Sequence, residues 1–204
     1  MPVLWLSAII IALSAIGFVM GRQRALASAD GNIKLLHSLP NYYGSNAFMK
    51  AVVPAFGLLF IWLLAAPIFV ESRVAQMIPP ESLTDDSNIG LVMSEVRRTS
   101  EGLDAAVSAG LIDESTAEDA QADPETITEQ LKNAGQVVTS SISRPILAAA
   151  QAHREMSRTS NLIMTIAVLV VALAGAGWGV MESGRDFRAR NVVEQGMVAI
   201  LIAA

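Results

Sequence analysis

Three stretches of the chain hold no charged residue: "VLWLSAIIIALSAIGFVM", Val3–Met20, "AVVPAFGLLFIWLLAAPIFV", Ala51–Val70, and "NLIMTIAVLVVALAGAGWGVM", Asn161–Met181. At 1.5 Å per residue, about 20 residues cross a hydrocarbon core of about 30 Å. Each stretch predicts a transmembrane helix, because lipid offers no partner to an open backbone. The first is marginal in length and sits slightly thin in a bilayer.

Between the second and third stretches the pattern changes. Ile89, Val92, Met93, Val96, Leu103 and Val107 recur mostly at spacings of three and four, which predicts an amphipathic helix, with Gly110 as its C-cap. A second helical region opens with Asp123 as N-cap and Pro124 at the first helical position, and its apolar stripe is Ile127, Leu131, Ala134 and Val138. Pro79 and Pro80 are expected to stop the helix that leaves the second stretch, "SLTDDSN" supplies further N-caps, and Pro145 is expected to kink or divide the second region. The acidic stretch Asp113–Glu125 reads as a solvated loop without the ligand order of an EF-hand. The expected fold is all-α: three transmembrane helices, the start of a fourth, and a helical hairpin on stalks, in regions 1–70, 71–160 and 161–204. The hairpin's stripes are thin, so its own core should be small.

Charge placement predicts orientation. Arg22, Arg24, Lys34 and Lys50 fill the first connection, and Arg185, Arg188 and Arg190 follow the third stretch. Basic residues in short loops stay cytoplasmic. Loops 21–50 and 182–191 are therefore expected in the cytoplasm of a multi-pass inner-membrane protein, with the N-terminus and the acidic segment 71–160 outside. "ALAS", Ala25–Ser28, resembles a signal-peptide cleavage site, but the positive charges follow the apolar run instead of preceding it. The final stretch Val192–Ala204 is read as the first part of a fourth span.

Hydrophobic residues make up 52% of the 204 and charged residues 16%, below the roughly 25% charge of soluble domains. A net charge of −5 argues against a nucleic-acid partner, and the lack of cysteine excludes thiolate chemistry. No catalytic, cofactor-binding or metal-ligating constellation is visible. His37 and His153 fall on opposite sides of the membrane in this topology, and no phosphate-binding glycine loop occurs. Gly175 and Gly179 present a small-xxx-small face, either a close helix contact or ordinary membrane glycine. Pro54 and Pro67 read as helix-end prolines. The loop "LHSLPNYYG" offers Pro40, Asn41 and Gly44 for a turn, with Tyr42 and Tyr43 as interfacial anchors.

"GRQRALA" after a first apolar run, then "LHSLPNYYG", then a second run with "VPA" near its start, resembles the N-terminal region of PstC-type phosphate ABC-transporter permeases. "RDFRARNVVEQGM" resembles the lead-in to the permease core of the same family. The resemblance implies a non-enzymatic subunit with a second permease subunit, cytoplasmic ATPase subunits and a periplasmic phosphate-binding protein as partners. It also implies that the core helices lining the phosphate path are not in these residues. Arg188 and Arg190 join Pro40, Tyr42, Tyr43, Gly44, Gly175 and Gly179 as structural or interface residues. The alternatives are a transmembrane sensor with a helical periplasmic domain and a small accessory subunit. A sensor should continue from its span into a long signalling helix, whereas this sequence turns apolar again soon after Met181.

Overall fold

The computed structural model describes residues 3–79, 89–119, 122–133, 142–184 and 186–203. The described elements are α1 (Val3–Ser28), a 3-10 helix (Ile33–Leu35), α2 (Pro40–Ala75), α3 (Ile89–Ser108), α4 (Glu114–Glu118), α5 (Pro124–Asn133), α6 (Arg144–Glu182) and α7 (Ala189–Ala203). No strand occurs among the described residues. α1, α2 and α6 are long and apolar enough to cross a membrane. The chain is an all-α membrane protein. It divides into two compact units, Met1–Leu63 with Asn161–Ala204, and Leu64–Ser160.

In the first unit, hydrophobicity alone does not choose the buried faces, because the helices are apolar nearly all round. Small residues choose them. α1 buries Leu6, Ile10, Ser14, Gly17, Gly21 and Ala25. α2 buries Tyr43, Ala47, Ala51, Ala55 and Leu59, one residue per turn. Met164, Val168 and Ala172 of α6 join Leu6, Ile10, Ala55 and Leu59 in one cluster. Lipid gives helices no hydrophobic reason to associate, so close van der Waals contact along small-residue stripes must do it.

Two expectations fail here. "LHSLPNYYG" is not a turn into α2: Pro40–Gly44 is the first turn of α2 itself. Proline at a first helical position lacks only an N–H that would have no partner anyway. The Tyr42 amide donates to Leu39 O at 2.9 Å as the helix starts. Pro54 and Pro67 likewise do not lie near helix ends, since α2 runs well beyond both.

Among the described residues the second unit has two apolar clusters. One joins Leu103, Ala106, Ile112, Ala117, Ile127, Leu131, Ile142 and Leu147. The other joins Val70, Val74, Ile78, Val92, Val96, Ala149 and Ala150. α3 has the predicted amphipathic face. Its end is a Schellman motif: Leu111 N–H donates to Ala106 O (3.0 Å), Gly110 N–H donates to Val107 O (2.9 Å), and Gly110 has φ +69°. Asp123 caps α5 by accepting from Thr126 N–H at 3.3 Å. Pro145 lies in the first turn of α6, so it opens a helix rather than kinking one. Pro80, "SLTDDSN", Ala134, Val138 and Arg185 fall outside the described residues.

The left-handed Gly110 gives a direct test. Gly110→Ala meets open space but forces a Cβ into positive φ, which costs about 1 kcal/mol. Gly110→Asn should cost less. Thermal unfolding of the purified full chain should rank glycine above asparagine above alanine.

Candidate functional site

The seam of α2 and α6 begins with a missing bond. Pro54 has no N–H, so the Lys50 carbonyl four residues earlier loses its intrahelical donor, and the pyrrolidine ring crowds it outward. Gly175 of α6 lies against that carbonyl. A Cβ at Gly175 would collide with Lys50 O and fall 2.7 Å from Lys50 C and 3.0 Å from Ala51 Cα. One turn on, a Cβ at Gly179 would overlap Ala47 Cα and fall 2.9 Å from Ala47 Cβ. The two backbones therefore touch, with glycine on one side and alanine on the other. α1 closes on the same stripe: a Cβ at Gly21 would meet Tyr43 O at 3.0 Å and Ala47 Cβ at 3.2 Å. One at Gly44 would meet Phe18 O at 2.7 Å.

A polar group sits at the end of this seam. Lys50 Nζ donates to Glu182 Oε2, Trp178 Nε1 donates to Glu182 Oε1, and Lys50 Nζ lies 5.5 Å from the Trp178 ring centroid. Opposite charges joined in this way can stand at the edge of an apolar run, where a lone charge is costly. Asn46 is 2% exposed. Its side-chain amide lies within hydrogen-bonding reach of Glu182 and adds to that carboxylate's polar surroundings.

The remaining residues singled out in the sequence fall at the start of α2. Tyr43 is fully buried and packs with Ala25, Ala189 and Phe187; its ring centroid is 6.3 Å from that of Phe187. Its Oη completes no hydrogen bond, with Ser38 and the His37 backbone among the polar groups around it. Tyr42 is half-buried against the same cluster. Arg188 is exposed. The Arg190 amide donates to Ser38 Oγ at 3.2 Å, and its Nε donates to Glu194 at 2.7 Å.

The second unit holds a charge cluster where the sequence predicts a solvated loop. α4 has only five residues, too few to hold itself as a helix. Tertiary contacts fix it. Arg154, 6% exposed, donates to Asp104 at 2.6 Å and reaches Glu114 at 2.8 Å. Arg158 pairs with Glu114 and, at 3.4 Å, with Glu118. Gln151 Nε2 donates to Ala117 O (3.1 Å) and Asp119 O (3.0 Å), satisfying carbonyls at the end of α4. His153 Nδ1 pairs with Ser100 Oγ at 3.2 Å and lies far in sequence from His37. Burial pushes the Glu114 carboxyl up, but the hydrogen bond and charge of Arg154, with the charge of Arg158, outweigh it and hold the group below its ordinary range. A signal was present in the sequence: acids four apart, Glu114 and Glu118, match arginines four apart, Arg154 and Arg158.

Among the described residues no group of His, Asp or Glu is placed to hold a metal. What the arrangement does is hold helices together by backbone contact in one unit and by ion pairs in the other. Gly179→Ala should destabilise the full chain by about 1–3 kcal/mol through overpacking, whereas Gly177→Ala, which meets open space, should be close to neutral. Membrane abundance and unfolding temperature measure the contrast. The depressed Glu114 carboxyl gives stability that is complete above the ordinary glutamate range and lost as pH falls through its lower folded value. Glu114→Gln should therefore cost about 1 kcal/mol at neutral pH, and the difference from the parent should shrink toward zero in an acid titration of unfolding.

No curated protein and no solved structure matches the chain. A family model does match, over residues 7–177, which takes in most of α1, all of α2, Gly175 of the seam and the Arg154 cluster, and stops just short of Gly179. The chain therefore belongs to the phosphate ATP-binding cassette transporter family, as a multi-pass membrane component.

Proposed function

We propose that the chain is the N-terminal part of a permease subunit of an ATP-driven phosphate importer, and that it serves assembly and scaffolding of the translocation unit. The family match over residues 7–177 carries the transport assignment. The role within it is supported by the seam: three helices held by glycine and alanine backbone contact, with Lys50 and Glu182 neutralising each other at its end. Such an arrangement positions helices, and among its described residues no Arg or Lys side chains converge on a site for a phosphate ion. ATP hydrolysis then belongs to cytoplasmic partner subunits. A second permease subunit completes the path, and a periplasmic phosphate-binding protein delivers the substrate. The charge distribution supports an inner-membrane orientation with the N-terminus and residues 71–160 periplasmic, and with loops 21–50 and 182–191 cytoplasmic. Tyr42, Tyr43, Pro40, Gly44, Gly175, Gly179, Arg188 and Arg190 are structural or interface residues in this reading.

Orientation and role are tested together. A cysteine at the exposed Ser115 should react with an impermeant thiol reagent added to cells with a permeable outer membrane, and one at the exposed Asn41 should not. Tyr43→Ala empties a fully buried site at a cost of about 3 kcal/mol. In the full-length protein it should lower the amount of assembled transporter and lower phosphate uptake in proportion. The half-saturating phosphate concentration should not move. Normal assembly with a half-saturating concentration raised about tenfold, equal to roughly 1.4 kcal/mol of binding, would place Tyr43 on the substrate path and reject the scaffold role.

A further inference from the structure

α3 runs beside the first part of α6 and in the same sense. Val92 and Val96 share a cluster with Ala149 and Ala150. Further along, Ser100 Oγ lies 3.2 Å from His153 Nδ1, and Asp104 accepts from Arg154 at 2.6 Å. After α3 the chain turns back. Glu114, at the start of α4, pairs with Arg158, and the carbonyls of Ala117 and Asp119 at its end return to Gln151. The turn between α3 and α4 is therefore the part of both helices that reaches furthest along α6.

That turn has a definite depth. The rise from Ser100 to Ser108 is about 12 Å, and the same rise carries α6 from His153 past Arg158 and Ser160. Arg158 is the last charge on α6 before its uncharged run. At 1.5 Å per residue, residues 162–181 span about 30 Å, the thickness of a hydrocarbon core, so the boundary between lipid and water falls just beyond Ser160. The turn is built for that boundary. Between Asp104 and Asp113 the chain carries no charge, and Ser108, Ala109, Gly110 and Leu111 are all exposed. The amides of Ala109, Gly110 and Leu111 donate within the turn, to Ala105 O, Val107 O and Ala106 O. None of these donors depends on water, which is scarce where lipid begins.

We propose that the turn at residues 108–111 is a shallow membrane anchor, with the Leu111 side chain inserted into the interfacial zone of the bilayer around α6. An exposed leucine is ordinary on a surface that faces water. At the level of Leu111 the surrounding medium is lipid headgroup and the first of the hydrocarbon, and apolar side chains on a neutral, internally bonded backbone are what that zone accepts. The flanking acids limit the depth: Asp113 is exposed, and Glu114 is held by Arg154 and Arg158. Leu91 supplies the contrast. It is more exposed than Leu111, 64% against 56%, but it stands at the other end of α3, about 25 Å further from the boundary along the helix. The anchor follows from α6 crossing a membrane and is independent of the transport role.

The chain has no cysteine, so Ala109→Cys, Leu91→Cys and Ile166→Cys each give one site for a nitroxide label. The full chain is reconstituted in vesicles of phosphatidylethanolamine and phosphatidylglycerol. Oxygen concentrates in lipid, and a water-soluble nickel chelate stays outside it. At Ala109, collisions with the chelate should be several-fold rarer than at Leu91. Collisions with oxygen should be several-fold more frequent, approaching those at Ile166, an exposed apolar position within the uncharged run of α6. Adding Leu111→Asp should return the Ala109 label to the Leu91 pattern, whereas Leu111→Met should keep it in lipid. Labels at Leu91 and Ile166 should not change in either variant, which reports that α3 and the membrane helix are intact. A label at Ala109 that behaves like the one at Leu91 in the parent overturns the anchor. Protection from both reagents also overturns it, because protein would then cover the turn, and so does a lipid pattern that survives Leu111→Asp. The collisions read no transport, so each of these failures leaves the transporter assignment standing.

Discussion

Two helix backbones in contact, with no side chain between them, form the constraint on which the first unit depends. Pro54 frees the Lys50 carbonyl, and Gly175 is the residue that lets α6 close over it. No other residue type fits, because a Cβ would stand on the carbonyl. Gly179 repeats the contact against Ala47 one turn away, and the shared spacing of four keeps it in register. Small Cα–H···O contacts of this kind contribute perhaps 0.5–1 kcal/mol each, and only when the backbones approach this closely. The third helix uses the same alanine, since Gly21 of α1 also meets Ala47. Tyr43, a large and fully buried side chain at that end, fills the space where the stripe of small residues stops.

Charge in this chain is placed so that it cancels locally. Lys50 and Glu182 come from different helices and meet beside Trp178, whose ring faces the ammonium and whose N–H satisfies the carboxylate. In the second unit Arg154 is nearly buried, so its two strong carboxylate partners are a requirement of its burial more than a gain in stability. The consequence is specificity: α4, too short to persist alone, has one place where its acids and its last carbonyls are all satisfied.

The long elements were legible because they rest on period and length. The three uncharged runs, the amphipathic α3 with its Gly110 cap, and Asp123–Pro124 at the start of α5 all follow from local rules. "LHSLPNYYG" misled because its residues serve two purposes. Proline and asparagine open turns, and they also open helices; only the burial of Tyr43 and Gly44 decides between the two. Pro54 misled for a related reason. Its meaning depends on Gly175, more than 100 residues away, which fills the space its missing bond creates. The seam was half visible: Gly175 and Gly179 stood out, while Ala47, Ala51 and Ala55 did not, because alanine is unremarked in an apolar helix. Glu114–Glu118 against Arg154–Arg158 was readable only by setting one spacing beside the other.

Pro54 and the seam share a physical cause. A helix that is apolar on every side has no preferred face until a neighbour chooses one, so the information that assembles such helices lies in what side chains leave out. Glycine at 21, 44, 175 and 179 and alanine at 47 are subtractions, and each is defined only by the atom that comes into the vacated space. A hydropathy profile registers none of them. In soluble proteins the buried face is announced by hydrophobic residues against polar ones. In a membrane that contrast is gone, and volume becomes the code. Contacts of this type are short-ranged and shape-specific, and they lose their energy within a fraction of an ångström when the fit is wrong, so they fix one geometry between helices that hydropathy leaves undecided.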